Sequence, residues 1–206
     1  MTLRLVTATA NPSKVAEIKA ILGRSLDIEL LPRPDEVPDI VEDADSLLEN
    51  ARLKSRALCT ATGIAAVADD TGLFVDALDG LPGVHSARFS GEGATAESNS
   101  AKLLMELDRC DARSPEERTA SFRTIAMVSF PDGTDLWAEG VIEGMIVTAA
   151  RGTNGFGYDP LFAPDDSSVA PGVTFGELDA QTKNRISHRA RAFVALAELL
   201  RNLPLQ

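Results

Sequence analysis

Two hydrophobic periods alternate along this chain, and the switches between them mark its elements. Residues 3–8 are apolar and partly β-branched, which predicts a first strand. Asn11-Pro12 then offers an N-cap with proline at the first helical position. Val15, Ile18 and Leu22 recur at helical spacing, and Gly23 supplies a stop. Residues 28–31 predict a second short strand, and Pro32, Pro34 and Pro38 hold the acidic stretch after it in a loop. Ser46-x-x-Glu49 is a capping-box pattern that opens a helix reaching residue 62. The run Gly63-Ile64-Ala65-Ala66-Val67-Ala68 reads as a strand buried on both faces, and it is expected to end at Asp69-Asp70-Thr71-Gly72. Leu73-Phe74-Val75, a Gly/Pro turn at 80–83 and a helix over 95–107 follow. Between 119 and 147, two β-rich stretches flank Pro131-Asp132-Gly133, the pattern of a long antiparallel hairpin. Trp137 on that hairpin is expected in the core. Residues 152–160 form a glycine-rich loop. A last helix is predicted over 181–201, with the stripe Ile186, Ala190, Phe193, Ala197 and Leu200.

The reading is a mixed α/β chain with a central twisted sheet and flanking helices. Neither a repeat nor a linker divides residues 1–206, so one domain is expected. A net charge of −11 disfavours nucleic acid and anionic membranes as partners. No apolar run reaches membrane-spanning length. Cys59 and Cys110 fit neither a metal spacing nor a disulfide framework, so a reducing cytoplasm is the expected location.

The candidate chemistry starts at the acidic pair. Strand ends in α/β sheets face the ligand crevice. Adjacent carboxylates at such a point are costly without a cation, hydrogen bonds or water. They suggest a hard-cation site, and such cations usually accompany phosphates. If the strand ran on straight, Asp69 and Asp70 would point to opposite faces and only one could reach a metal. Glu42 and Glu49 are candidate partners, and spacing does not choose between them; position N3 of a capping box already explains Glu49. Asn50 and Lys54 share one helix face.

Thr9-Ala10-Asn11-Pro12-Ser13-Lys14 joins a strand to a helix start, where backbone N–H groups and the helix dipole favour phosphate. It lacks the Walker pattern. In Gly155-Phe156-Gly157-Tyr158-Asp159-Pro160 the glycines allow close approach to a ligand. Phe156 and Tyr158 offer flat faces to a nucleobase, and Asp159 can accept from base N–H groups. Lys183 and Ser187-His188-Arg189 open the last helix. With about 100° per residue, His188 lies roughly 160° from the apolar stripe, so it is expected to face solvent or a cleft.

Taken in order, these segments resemble the inosine triphosphate pyrophosphatase family, the dITP/XTP pyrophosphatases. The resemblance runs from Thr9 to Arg189. Its carriers are Thr9-x-Asn11-x-x-Lys14, Glu49-Asn50-Ala51 with Lys54, Ala68-Asp69-Asp70-Thr71-Gly72, Ser86-Ala87-Arg88-Phe89-Ser90-Gly91, Gly155 to Pro160, and Ile186-Ser187-His188-Arg189. It implies a two-lobed α/β fold with a long mixed sheet and the active site in the cleft between lobes. It implies Mg²⁺-dependent hydrolysis of non-canonical purine nucleoside triphosphates (ITP, dITP, XTP) to the monophosphate and pyrophosphate, by a homodimer. By position, Thr9, Ala10, Asn11, Pro12, Ser13 and Lys14 would hold phosphates. Asp70 would be general base and metal ligand, and Glu42 the other ligand. Thr71 would touch substrate; Phe156, Gly157, Tyr158, Asp159, Lys183, His188 and Arg189 would bind the nucleotide, mainly its base end. Ala10 replaces the family's usual glycine, and Thr71 its commoner serine.

Overall fold

Asn11 shows how local sequence builds this fold. Its side-chain oxygen accepts from the backbone N–H of Ser13 and Lys14 at 2.9 and 3.3 Å, and Pro12 takes the first helical position. Strand β1 (Leu3–Thr7) therefore passes at once into α1 (Pro12–Leu22). The computed structural model describes residues 2–203. The chain continues through β2 (Ile28–Leu31), α2 (Leu47–Thr62), β3 (Ala66–Val75) and β4 (Pro82–Gly83). Then come α3 (Ala96–Arg109), β5 (Thr119–Ser129), β6 (Asp135–Ile146), β7 (Phe162–Pro164), α4 (Ala180–Ile186) and α5 (His188–Arg201).

The strands form one mixed sheet in the order β2-β1-β3-β5-β6-β7, with β4 also on β3. The β1–β2 and β1–β3 pairs are parallel; the β3–β4 and β6–β7 pairs are antiparallel. The mixed α/β reading holds.

Two compact units emerge. The first holds residues up to Asp70, 124–140, and from His188 onward. Its core has two faces. Leu5, Ile18, Val67, Val128, Phe193 and Leu196 pack under α1 and α5. Val6, Leu58, Cys59 and Ala66 pack under α2. The apolar run in β3 is buried on both sides because helices cover both. The second unit holds residues 71–123 and 141–187. Its core joins Leu73, Leu103, Phe122, Ile142, Phe162 and Phe175, with Phe122 edge-on to Phe162 at 4.7 Å.

Four expectations need correction. First, β3 does not stop at the acidic pair; it runs through Asp69 and Asp70 to Val75. Gly72 lies within the strand. It serves close packing, since a Cβ there would lie 2.6 Å from the Gly83 carbonyl oxygen on β4. Second, the last helix is broken at Ser187, which is extended (φ −65°, ψ 155°), so α5 starts afresh at His188. The apolar stripe is buried as expected, but His188 and Arg189 are buried too. Gly140 explains this, because a Cβ there would fall 2.1 Å from the His188 oxygen and 2.3 Å from the Ala192 nitrogen. The first turn of α5 lies backbone to backbone on β6, so His188, Arg189 and Ala190 are turned inward and Arg191 takes the exposed side. Third, Trp137 is 43% exposed and not in the core. Fourth, the capping box of α2 is half made: Ser46 accepts from the Glu49 N–H, but the Glu49 carboxylate turns to Arg52.

Candidate active site

β1 ends at Thr7, whereas its parallel neighbour β3 continues for eight residues beyond Val67. The acidic pair therefore lies past the carboxyl end of β1, where α/β sheets place their ligands. Strand alternation sends the two carboxylates apart. Asp69 meets the helices on one face: Arg189 donates from Nε and Nη2 to Asp69 Oδ2 at 3.2 and 3.1 Å, and Lys14 Nζ stands 3.3 Å away. Arg189 also donates from Nη1 to Glu17 at 2.8 Å. Burial alone would raise the Asp69 pKa, but Lys14 and Arg189 hold it well below the usual carboxylate range. Asp69 is thus a fixed negative charge.

Asp70 meets α2 on the other face. Lys54 Nζ lies 2.7 Å from Asp70 Oδ1 and 3.2 Å from Glu42 Oε2. Burial, with help from the neighbouring Glu42 charge, pushes the Asp70 carboxyl up to about 6 against the pull of Lys54. Lys54 stays charged in spite of its burial because Asp70, Asp69 and Glu42 surround it. A raised carboxylate beside a cation makes Asp70 a candidate acid–base group.

A cavity of about 220 Å³ opens here, lined by Thr9, Lys14, Arg33, Glu42, Lys54 and Asp69 among others. Glu42 and Asp70 converge on one cationic atom, and their hard oxygens are the donors Mg²⁺ takes. Glu49 points elsewhere, to Arg52. Among the described residues no group of three or more His, Cys, Asp and Glu side chains forms a metal cage. An ion held by Glu42 and Asp70 would complete its shell with water and substrate oxygens, as Mg²⁺ commonly does.

Of the Thr9–Lys14 loop, Thr9, Ala10 and Lys14 line this cavity, and the N–H groups of Asn11, Ser13 and Lys14 already have side-chain acceptors. Thr9 Oγ1 accepts from the Asn11 N–H at 3.1 Å, and Asn11 caps Ser13 and Lys14. A phosphate would compete with those side-chain oxygens.

In the second unit, Asp159 Oδ2 accepts from the Phe156 N–H and from Lys183 Nζ, each at 2.7 Å. The ammonium lies 4.6 Å from the Phe156 ring centre, a cation–π contact. Gly155 is required here, because a Cβ would fall 2.0 Å from Asp159 Oδ2. Phe156 and Gly157 line a cavity of about 480 Å³ with Asn154 and Leu161. Tyr158 is corrected: its ring is buried in the core, and its hydroxyl donates to the Ser86 carbonyl at 2.9 Å, so it offers no flat face. Asp159 is also turned inward, to Phe156 and Lys183. Thr71 is half-buried on β3, directly after Asp70.

Two residues of this region escape sequence reasoning. Glu17 pairs with Arg189 across 172 positions, with no local signal. Arg33 lines the cavity beside Glu42 and Lys54, and its only trace in the sequence is a place between two prolines.

The Ham1 family profile matches residues 5–199. The dITP/XTP pyrophosphatase of Geobacter sulfurreducens is 48% identical over 200 residues, covering 96% of each chain. That of Streptomyces coelicolor is 42% identical over 204 residues, covering 97% of this chain and 98% of the other. Among solved structures, a HAM1 protein from Coxiella burnetii superposes with TM-score 0.86 at 39% identity, covering 98% of this chain and all of that one. The Staphylococcus aureus Ham1 protein gives 0.81 at 34% identity, covering 96% and 98%. With a family profile over residues 5–199, and relatives 42–48% identical along nearly its whole length, the chain belongs to the Ham1 family.

Proposed function

We propose that this protein hydrolyses non-canonical purine nucleoside triphosphates (ITP, dITP and XTP) to the monophosphate and pyrophosphate. The observation that carries the reading is buried Asp70, placed past the carboxyl end of β1 with its Oδ1 2.7 Å from Lys54 Nζ. It shares Lys54 with Glu42, and Lys54 and Glu42 line a cavity whose wall also carries Lys14 and Arg33. The relatives named dITP/XTP pyrophosphatase supply the substrate class. In this reading Mg²⁺ is the cofactor, and Glu42 and Asp70 hold it. Bound there, it would neutralise charge on the phosphate oxygens.

The chain's own residues do the rest. Asp70 orients the attacking water and takes its proton. Lys14 and Lys54 place positive charge on the phosphate oxygens. Thr9 and Asn11 shape the loop beside them. Arg189 and Glu17 hold Asp69, and Asp69 holds Lys14, so Arg189 serves the phosphate end. At the base end Phe156 and Gly157 line the cavity and make the contacts, while Lys183, Tyr158 and Asp159 shape the loop from beneath. A donor there selects a C6 carbonyl; adenine presents an amino group instead and leaves the donor unpaired. No helix among the described residues is long and apolar enough to cross a membrane. Cytoplasmic location and a homodimer complete the reading.

The test is a nucleotide panel with Mg²⁺, scoring pyrophosphate against orthophosphate. ITP and XTP should release pyrophosphate, with ATP and GTP poor. Asp70→Asn should lower turnover by about 10²–10⁴, the usual worth of a general base, while calorimetry shows nucleotide still bound. Orthophosphate as sole product, or near-normal turnover by Asp70→Asn, would overturn the reading.

A further inference from the structure

The three cations of the phosphate-end cavity are not equally committed. Lys14 is tied to buried Asp69, and Lys54 to buried Asp70 and to Glu42. Arg33 differs. Its side chain is only 14% exposed, yet its one ion-pair partner, Asp39 at 3.2 Å, is fully exposed. Carbonyl oxygens hold the guanidinium in place: Ala8 accepts from Nη1 at 3.3 Å, and Val37 and Pro38 accept from Nη2 at 3.1 and 2.8 Å. Pro32 and Pro34 stiffen the backbone on either side. These contacts leave Nε–H and one Nη1 N–H with no protein acceptor among the described residues. The group is thus a pre-positioned guanidinium on the cavity wall, with donors to spare and a carboxylate that can swing away into water.

We propose that Arg33 is a phosphate-binding residue, gripping the β- and γ-phosphates of the substrate and the pyrophosphate product, with Asp39 as the carboxylate they displace. This rests on the pyrophosphohydrolase reading above. Three arguments carry it. Guanidinium donors match phosphate oxygens in geometry and charge. The guanidinium is held rigid before any ligand arrives, so little ordering entropy opposes binding. Among the cavity's cations, Arg33 is the one whose release from its counter-ion uncovers no buried charge, so a polyanion gains most from it.

The test measures binding of magnesium pyrophosphate by calorimetry without nucleotide, and inhibition by pyrophosphate and by IMP. Arg33→Ala should weaken pyrophosphate about tenfold, as expected for the loss of one charge-assisted contact, with IMP within about twofold. Asp39→Asn should tighten pyrophosphate about two- to threefold, because the competing anion is gone. If Arg33 only tethers its loop to Ala8, Arg33→Ala weakens pyrophosphate and IMP alike and Asp39→Asn changes neither, which refutes the proposal. Should Arg33→Ala fold poorly, Arg33→Lys keeps the charge without the fork; an intermediate loss of pyrophosphate affinity is expected, and an unchanged affinity refutes. Wild-type protein that does not bind magnesium pyrophosphate refutes it as well. The nucleotide panel judges the substrate reading separately, and a different preferred nucleoside triphosphate would leave the Arg33 result standing.

Discussion

Asp159 and Lys183 form the most enclosed ion pair of the second unit, and their mutual dependence can be measured. Their side chains are 4% and 5% exposed and 2.7 Å apart. Asp159→Asn keeps the volume and removes the charge, so it leaves an ammonium buried against a neutral amide. Breaking a buried pair from one side costs about 3–5 kcal/mol. Part of that is returned here, since the ammonium keeps the rings of Phe156 at 4.6 Å and Phe175 at 5.8 Å. Such contacts contribute up to about 2 kcal/mol when desolvated. The net expectation is a loss of about 2–3 kcal/mol, or roughly 5–10 °C in melting temperature for a chain of this size. Lys183→Met leaves the Asp159 carboxylate with the Phe156 N–H and should cost a similar amount. The double variant removes both charges, so it should cost less than the two single losses added. Urea unfolding of all four proteins closes a double-mutant cycle, with an expected coupling of about 1.5 kcal/mol or more. A coupling below about 0.5 kcal/mol, or an Asp159→Asn protein as stable as the parent, would show that the pair is not the clamp described.

Two glycines separate space from backbone conformation. At Gly152 (φ +79°) a Cβ would lie 2.0 Å from the Gly176 carbonyl oxygen, whereas Gly157 (φ +61°) has nothing within 4 Å. Gly157→Ala should therefore cost only the left-handed conformation, about 1–2 kcal/mol, and Gly152→Ala clearly more; thermal unfolding in the reverse order would refute this packing. Asp135 gives a pH-dependent test. Burial opposes its charge, but bonds from Arg56, Ser129 and Arg52 outweigh this and hold its pKa below the usual carboxylate value. A depressed folded pKa means stabilisation that is complete above the unfolded value, about 4, and lost as pH falls through the folded one. The cost of Asp135→Asn should accordingly be full at pH 7 and shrink as pH is lowered below about 4. A cost independent of pH would refute the assignment.

The elements most legible in the sequence are those specified within a few residues of themselves. Asn11-Pro12 caps α1, Gly63 ends α2 in the left-handed region, and Pro131-Asp132-Gly133 turns the hairpin. Each is a local decision about backbone conformation. What escapes the sequence depends on partners far away. Asp69-Asp70 looks like the end of a strand because two adjacent carboxylates are costly inside a sheet. They stay within β3 because Lys14, Lys54 and Arg189, drawn from three different helices, compensate them. The same logic governs His188 and Arg189. A helical wheel extended through Ser187 turns His188 away from the core, but the phase is reset at Ser187, and Gly140 on β6 lets the new helix settle directly on the strand. A glycine 48 positions away thus decides what two basic residues can reach. Tyr158 fails for a related reason: an aromatic beside glycines is equally suited to stacking on a ligand and to filling a core, and the Ser86 carbonyl that accepts its hydroxyl decides the matter. The sequence therefore identifies which segments pack together into the fold more surely than which atoms their side chains touch. Distant packing assigns each charge its partner, and here it divides the acidic pair, Asp69 going to Lys14 and Arg189 on one face of the sheet and Asp70 to Lys54 on the other.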